Sequence, residues 1–392
     1  MVFLFYELYF DFLYLFQSHI PPVSGTDIHV RLYVQGDEEA IVQLLQRAFK
    51  GWPHLDLQCT PLDHWRWKYQ DNPLKKKSIV VAESGGKIIG CSHGFYLKIK
   101  VGRGAVLGEQ GTDLCIDEAF RGRGISSIVH DLKMKHLIEN RVDLTYSLST
   151  NPIVTNRDLR TKRPEFPSPL RGLVKIRNID LHFGSIKPKN SLFIKLGFVT
   201  LNGLNRLKRT LSSLLRTSPS QRIEVHDVER FDERHDTFWG EVKDEHNFIV
   251  ERDASYLNWR YRDRRGGDYK VKQIVQGGKI SGFIVLRINR YNRDYPEGYI
   301  VDLLTLPRRL DVAGALILEA DRWFSEQDIN IVHALIIKGH PYEGLLDENG
   351  YLGDQIRYRL FYRKRNIGEE INDFIKSHPN KIHFEWGDLD WV

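Results

Sequence analysis

The chain contains an internal duplication, and this constrains its fold more than any other feature of the sequence. Three segments of the first half return in the second half at a nearly constant separation of about 190 residues. The pairs are HWRWKYQDNP (64–73) with NWRYRDRRGG (258–267), GGKIIG (85–90) with GGKISG (277–282), and TDLCID (112–117) with VDLLTL (301–306). A repeat of this length corresponds to a whole domain rather than to one unit of a solenoid. The sequence therefore predicts two related domains.

The two copies differ in length after the third pair. The segments that close each half, FIKLGF (193–198) and LLDENGY (345–351), are separated by only about 150 residues. The first copy therefore carries extra residues, which we place at 151–190, where the stretch RTKRPEFPSPLRG is rich in proline and arginine. We expect this basic insertion to form a long irregular loop. The polar segment RTSPSQ (216–221) is typical of a linker between the domains.

Hydrophobic patterns predict the same order of elements in both copies. In the first copy, alternating apolar residues predict strands at 28–34, 78–84, 88–99, 106–117 and 142–149, and helical periodicity predicts helices after Asp37 and from Gly124 to about Asn140. The second copy repeats the order with a strand at 222–228, a helix at 311–324, a strand at 329–336 and a last strand near 356–363. We therefore predict an α+β fold with domains at 27–215 and 222–365. Each domain is a twisted, mixed, mostly antiparallel sheet flanked by helices. The tail at 366–392 ends in EWGDLDWV, and we expect its two tryptophans to dock on one of the domains.

Cysteine usage indicates a reducing compartment. The three cysteines are far apart and show neither a CxxC motif nor a histidine at ligand spacing. We therefore expect a cytoplasmic protein without a disulfide framework and without a metal.

The first 26 residues form a separate apolar extension. MVFLFYELYFDFLYLF is too short for a membrane span and lacks the basic start and cleavage site of a signal peptide. We expect a dispensable extension or a helix docked on the domain, and peripheral membrane contact through residues 1–16 is the alternative.

Positive charge is concentrated in one part of the chain. Residues 155–222 carry 15 Lys and Arg against 3 Asp and Glu, whereas the whole chain has a formal charge of +6. Such a segment suits an anionic partner, such as coenzyme phosphates, nucleic acid or a lipid surface, or it is a solvated face. The interleaved aromatic and basic residues of HWRWKYQDNP would also suit nucleic acid, but their spacing favours the core face of an amphipathic helix.

The stretch EAFRGRGISS (118–127) has the form of an anion-binding helix start. It lies between a predicted strand and a predicted helix, where backbone N–H groups lack intrahelical partners and the helix dipole is positive. Gly122 and Gly124 allow close approach of a pyrophosphate, and Arg121 and Arg123 add charge. No Gly-Lys-Ser/Thr follows, and the surroundings are not those of a dinucleotide fingerprint. A structural turn remains the alternative.

The run LCIDEAFRGRGIS (114–126) resembles the acetyl-CoA signature of the GNAT acyltransferase superfamily, with Ser126 where the family has Gly or Ala. The order of elements is also similar to that of GNAT domains. This resemblance implies that the amides of Gly122, Arg123, Gly124, Ile125 and Ser126 hold the coenzyme pyrophosphate. It further implies that the strand backbone at Leu114, Cys115 and Ile116 pairs with the pantetheine arm, with Asn151 near that arm. The corresponding stretch of the second half, LTLPRRLDVAG (303–314), lacks the glycine pair, so we expect a degenerate second domain.

Direct acyl transfer from a thioester to an amine needs a base for the ammonium proton and an acid for the thiolate. Glu109 and Asp113 lie four residues apart on the strand that leads to the glycine–arginine stretch, hence on one face unless a bulge intervenes. Either is a candidate base, and His93 is a third. The resemblance places a tyrosine acid at the position of Phe193, so the candidate substitutes are Tyr146 and solvent. Cys115 is predicted to be a core residue.

Three functions remain open at this point. The first is an acetyl-CoA-dependent N-acetyltransferase acting on a small amine. The second is a transferase of tandem-GNAT type that uses aminoacyl-tRNA, suggested by the tandem layout and the basic segment. The third is a non-catalytic module that binds coenzyme or nucleic acid.

Overall fold

Two mixed β-sheets of seven strands each form the centre of the molecule. The computed structural model describes residues 27–186 except 151 and 161, residues 224–365, and residues 373, 376 and 378–390. The predicted fold class is confirmed: both sheets are mostly antiparallel and are flanked by helices. The extension at 1–26, the segment FIKLGF and the linker RTSPSQ lie outside the described residues, and the domain boundaries stay predictions.

The first half contributes most of the first sheet. Its strands are β1 (Ile28–Leu32), β2 (Lys77–Ser84), β3 (Lys87–Val101), β4 (Gly104–Ile116) and β5 (Leu144–Ser149), and its helices are α1 (Glu38–Phe49), α2 (Pro61–Tyr69) and α3 (Ile125–Glu139). Helix α3 packs on β1, β2 and β3 through Val80, Ala82 and Val129. Helix α1 covers the opposite face of the sheet, where Ile79 and Val81 join the main core. The alternation of buried residues along β2 therefore separates a face toward α3 from a face toward α1 and α2.

The remaining elements follow in chain order. They are α4 (Pro152–Arg160), β6 (Leu170–Ile176), α5 (Ile179–Ile186), β7 (Val225–Asp227), α6 (Glu233–Val242), β8 (Phe248–Val250), α7 (Ala254–Tyr261), β9 (Tyr269–Gln276), β10 (Lys279–Asn289), β11 (Glu297–Thr305), α8 (Leu310–Glu326), β12 (Ile331–Ile337), α9 (Pro341–Glu348), β13 (Leu352–Gly353) and β14 (Arg359–Lys364).

The two halves exchange strands. The first sheet has the order β1-β2-β3-β4-β5-β14, with β8 paired to β3, and the second has the order β13-β6-β12-β11-β10-β9-β7. Strand β14 of the second half therefore completes the first sheet beside β5, and β6 of the first half completes the second sheet beside β12. Because each sheet contains strands from both halves, neither half has a complete sheet of its own.

The expectation of an irregular loop at 151–190 is wrong for its described part, which contains α4, β6 and α5. The prolines mark only the connection before β6. Strand β6 itself, LRGLVKI, has enough apolar residues to pair with β12 from Leu170 to Ile176. The proline and arginine content favoured the prediction of a loop over that of a strand. The strand's partner, β12, lies more than 150 residues away in sequence.

The segment HWRWKYQ of the first half packs against its repeat in the second half, NWRYRDR. Trp67 of α2 and Trp259 of α7 stack with their ring centroids 5.0 Å apart, and each indole N–H donates to the other residue's carbonyl, at 2.9 and 3.1 Å. Trp65 and Tyr69 are fully buried. These aromatic residues therefore join the two copies in the core, and they do not form an exposed platform for nucleic acid.

The described tail, residues 378–390, packs between the two sheets. Trp386 is buried, and its segment contacts the region where β11 and β12 separate. Arg252 donates to the Asp388 carboxylate at 2.6 Å, and Arg260 donates to the Leu389 carbonyl at 2.8 Å. Within the described residues, no helix has both the length and the apolar content needed to cross a bilayer.

Candidate active site

Strands β4 and β5 separate partway along their length and open a cavity. They are parallel, and they pair only from Gly108 to Gln110 on β4 and from Leu144 to Tyr146 on β5. Beyond this point lies a cavity of about 450 Å³ between β4 residues such as Leu114 and β5 residues such as Ser147. We call this gap between the diverging ends of β4 and β5 the wedge. Backbone groups on both of its edges are available to an extended ligand.

A β-bulge at Asp113 shapes the β4 side of this wedge. The pairing of β3 with β4 shifts register between Cys91 and His93, and Asp113 has a left-handed backbone with φ of 44°. The indole of Trp65 donates to His93 Nε2 at 3.2 Å, and His93 Nδ1 contacts the Asp113 carbonyl oxygen at 3.1 Å. Burial lowers the pKa of His93 to about 4, so the ring is neutral and its Nδ1–H holds the bulge. His93 is therefore a structural residue in this arrangement.

The bulge places Glu109 and Asp113 on opposite faces of the sheet, so the shared face that was expected for a strand without a bulge does not occur. Glu109 points toward α3 and forms an ion pair with Lys133 at 2.7 Å. Asp113 points toward α2, where it accepts from Lys68 at 2.8 Å and from the hydroxyl of Tyr69. An extra residue in a bulge breaks the two-residue alternation on which the sequence prediction rested.

Asp113 is held in its ionised form. Burial alone would raise its pKa, but the charge of Lys68 and the hydrogen bonds from Lys68 and Tyr69 outweigh burial and lower the pKa to about 2. The indole of Trp52 adds a third donor at 3.0 Å. The carboxylate is therefore a weak proton acceptor near neutral pH.

Glu109 also lines the cavity but is fully engaged on the α3 side. It is 2% exposed, and besides Lys133 it accepts a hydrogen bond from Ser78 at 2.8 Å. Lys133 is itself buried and lines the cavity. The opposite charges of Glu109 and Lys133 therefore compensate each other beside the cavity.

Tyr146 lies on the wrong face of β5 to act as the acid that the sequence suggested. Its hydroxyl donates to the Asp388 carbonyl of the tail at 2.8 Å, and burial raises its pKa well above the usual range. Thr145 and Ser147, its neighbours on β5, line the cavity. The sequence could not reveal this, because the tail that covers Tyr146 is distant in sequence.

The start of α3 has the geometry expected of an anion site. Gly122 and Gly124 have φ of 78° and 75°, a left-handed conformation that favours glycine. The first helical hydrogen bonds are donated by Ser127 and Ile128 to the Gly124 carbonyl, so the amides of residues 122–126 precede the hydrogen-bonded helix. The positive end of the helix dipole adds to this field.

Only some of the other residues predicted to contact the coenzyme line the cavity. Leu114 lines the cavity, whereas the Cys115 thiol packs 3.5 Å from that of Cys91. The guanidinium groups of Arg121 and Arg123 donate to the carbonyl oxygens of Ile116 and Ala119, so they brace the loop. Asn151 lies outside the described residues.

Sequence reasoning missed the residues that reach the cavity from elsewhere in the chain. Lys68 of α2 bridges the carboxylates of Asp113 and Asp390 at 2.8 and 2.7 Å, and Gln110 donates to Asp390 at 3.1 Å. The second half contributes the segment 289–299, including Tyr295 and Glu297. No local pattern signals these residues, because the fold alone brings them to the wedge.

The two sides of the cavity differ in charge. On the side of α3 and β14 the lining includes Arg163 and Arg363, together with the ion pair of Lys133 and Glu109. On the opposite side it includes the carboxylates of Asp113, Asp390 and Glu297, with Lys68 between the first two. The cavity is therefore suited to an anionic ligand entering on one side and a cationic ligand on the other.

Among the described residues, one group of side chains brings metal-ligand atoms together. Asp302, His383 and Glu385 place such atoms within 4.8 Å of one another. The guanidinium of Arg252 already pairs with Asp302 at 3.0 Å, and burial together with the charge of Asp302 raises the pKa of Glu385 well above its usual range. A protonated carboxyl beside a paired carboxylate suits the packing of the tail better than a cation.

Comparisons with known proteins agree with this geometry. Residues 29–157 match the family model described as an acetyltransferase (GNAT) domain. No curated protein matches the chain. Among solved structures, a conserved protein of unknown function from Enterococcus faecalis V583, described as a probable N-acyltransferase, is 13% identical with a TM-score of 0.57, and the match covers 87% of this chain and 73% of that one.

Two further structures are similar in fold. Saccharomyces cerevisiae N-myristoyltransferase with bound myristoyl-CoA and inhibitors is 12% identical with a TM-score of 0.58, and the match covers 93% of this chain and 86% of that one. A GCN5-related N-acetyltransferase from Kribbella flavida is 12% identical with a TM-score of 0.54, and the match covers 86% of this chain and 71% of that one. These likenesses establish the fold. The family match is confined to residues 29–157, which are therefore similar to a GNAT acetyltransferase domain.

Proposed function

We propose that the protein transfers an acetyl group from acetyl-CoA to a primary amine. The observation that carries this proposal is the wedge between β4 and β5. Its lining includes His130 and Lys133 of α3, the helix that begins after Gly124, and it leads to a chamber lined by Asp113, Asp390 and Glu297. A helix whose start can bind phosphate and a chamber lined by carboxylates, both belonging to elements that border one cavity, suit acyl transfer from a coenzyme thioester to an amine.

The coenzyme is proposed to enter on the α3 side. The amides of Gly122, Arg123, Gly124, Ile125 and Ser126 would donate to the pyrophosphate, aided by the helix dipole. Arg163 and Arg363 line this side of the cavity and favour a polyanionic coenzyme, whereas the charge of Lys133 is compensated by Glu109. The pantetheine arm would run along the β4 edge from Leu114 to Ile116, where β5 has moved away.

The acceptor is proposed to enter on the opposite side. Its nitrogen lone pair attacks the thioester carbonyl and the C–N bond forms. The tetrahedral intermediate then collapses as the C–S bond breaks, and the proton that the nitrogen loses on becoming an amide passes through solvent to the coenzyme thiolate. The ammonium proton must leave before attack. We assign this proton to the pair formed by Asp113 and Asp390 around Lys68, and specifically to Asp390, because the Asp113 carboxylate accepts hydrogen bonds from three donors and the Asp390 carboxylate from two.

The acyl group is proposed to be acetyl. A cavity of about 450 Å³ has room for the thioester end of the pantetheine arm, an acetyl group and the reacting amine. The choice of acetyl over a long chain rests on the description of the matching family model.

The test is release of free thiol from acetyl-CoA in the presence of a panel of amines, repeated with butyryl-CoA and myristoyl-CoA. We expect thiol release that depends on the amine, is fastest with the acetyl thioester and is lost in Gly124→Trp. Gly86→Trp is the matched control, since Gly86 has φ of 74° and the same open surroundings but lies in the β2–β3 turn. Thiol release that is equal in the two variants would contradict the placement of the coenzyme, and binding of tRNA without coenzyme would favour the aminoacyl-tRNA alternative.

A further inference from the structure

The chamber on the acceptor side is built partly by the second half of the chain. The segment from β10 to the start of β11 supplies Asn289, Tyr291, Asn292, Tyr295 and Glu297 to its lining, and Tyr299 follows on β11. Asn289 also donates to the His54 carbonyl at 3.3 Å, which joins this segment to the loop after α1. The degenerate half thus shapes the space that an acceptor would occupy.

Glu297 is the carboxylate of this chamber that the reacting centre does not use. Its side chain is 13% exposed, and it accepts a hydrogen bond from the Tyr299 hydroxyl at 2.6 Å, which fixes its orientation. Within the described part of the chain, the basic group closest to it is His333 Nε2, at 3.6 Å. Burial lowers the pKa of His333, so this ring is neutral at pH 7 and does not compensate the charge.

Arg287, another cation of this region, already has partners of its own. Arg287 is buried and pairs with Asp56 at 3.5 Å, and its guanidinium also donates to the Tyr269 hydroxyl at 3.1 Å. A half-buried carboxylate whose described neighbours are neutral is costly to maintain unless a cation joins it.

Aromatic side chains line the same chamber as Glu297. Tyr295, Tyr299 and Tyr291 line the chamber, and His54 packs edge-on against Tyr291 with the ring centroids 5.5 Å apart. Aromatic faces attract cations, most strongly where water is partly excluded. An organic ammonium group therefore satisfies both the carboxylate and the rings around it.

We propose that Glu297 binds a second cationic group of the acceptor, so that the acceptor belongs to the class of diamines and polyamines. The reacting amine is placed near Asp390 at the wedge, and the distal ammonium group is placed against Glu297. This proposal rests on the proposed function for the identity of the reaction, but the binding that it describes can be measured without turnover.

The test is a calorimetric titration of the full chain, in the presence of coenzyme A, with α,ω-diamines of three to six carbons and with n-alkylamines of the same lengths. We expect at least one diamine to bind tenfold or more tightly than its matched monoamine. Glu297→Gln should weaken the binding of that diamine at least tenfold and leave the monoamine unchanged, since the amide keeps the hydrogen bond from Tyr299 but removes the charge. Glu326→Gln, an exposed carboxylate at the end of α8, is the control of equal charge.

Equal affinity for diamines and monoamines, or a diamine preference that survives Glu297→Gln, would overturn the proposal. A thermal melt confirms that the variant is folded, and Glu297→Asp, which keeps the charge, should retain part of the preference. Failure of the proposed function gives a different result, namely no coenzyme binding and no thiol release, whereas the diamine preference would still be read by calorimetry.

Discussion

His93 should make the stability of the protein depend on pH in a defined window. The ring is fully buried and neutral between Trp65 and the bulge at Asp113, and burial lowers its pKa from 6.5 to about 4. The folded state therefore binds this proton only near pH 4, whereas the unfolded chain binds it near pH 6.5. The stabilisation is fully present above pH 6.5 and is lost as the pH falls toward 4.

The magnitude follows from the two pKa values. Their difference of about 2.5 pH units corresponds to a loss of about 3 kcal/mol in the free energy of unfolding at pH 4 relative to pH 7. His93→Gln removes the titration while its amide can still accept from Trp65 and donate to the Asp113 carbonyl. His64, whose pKa burial lowers to about 3, is present in both proteins, so its contribution cancels.

The assay is urea unfolding followed by tryptophan fluorescence at intervals between pH 7 and pH 4. The difference in unfolding free energy between wild type and His93→Gln should shrink or reverse by about 3 kcal/mol as the pH falls through this window. A difference that stays constant from pH 7 to pH 4 would show that His93 is not held neutral, and the account of the bulge would then be wrong.

Three further changes have defined outcomes. Gly124→Val should weaken coenzyme binding in calorimetry by tenfold or more and cost about 1–2 kcal/mol of stability in urea unfolding, because a side chain is forced into a left-handed backbone at the proposed pyrophosphate site. Trp259→Ala should lower the free energy of unfolding by about 3–5 kcal/mol in the same assay, because it removes the buried ring that stacks on Trp67. Lys68→Met should destabilise the protein by about 3–5 kcal/mol, because it leaves two carboxylates facing each other without their cation; adding Asp390→Asn should recover part of that loss.

Much of the fold was visible in the sequence because its elements carry local patterns. The strands around the GGKIIG and GGKISG turns and the helix after Gly124 follow from periodicity and turn chemistry, and the repeated segments indicate two copies. The exchange of β6 and β14 between the sheets was not predictable in this way, because local periodicity specifies a strand but not its partner.

The candidate site was also predicted only in part, because only some of its features depend on local sequence. The left-handed glycines at the start of α3 follow from a local motif, and so does their place between strand and helix. The face of the sheet on which the Asp113 side chain lies depends on a bulge held by His93 and Trp65. The contact between Tyr146 and the tail joins residues that are distant in sequence. Side chains that are positioned by distant residues cannot be assigned from alternation alone.

The stoichiometry of coenzyme binding tests the central claim most directly. The corresponding separation of β11 and β12 in the second half is covered by the tail at Trp386, and its helix start lacks the glycine pair. Calorimetric titration of the full chain with acetyl-CoA should therefore give one site per chain, lost in Gly124→Trp and kept in Gly86→Trp. Two sites per chain, or one site that is unchanged in Gly124→Trp, would contradict the assignment of the coenzyme to the wedge of the first half.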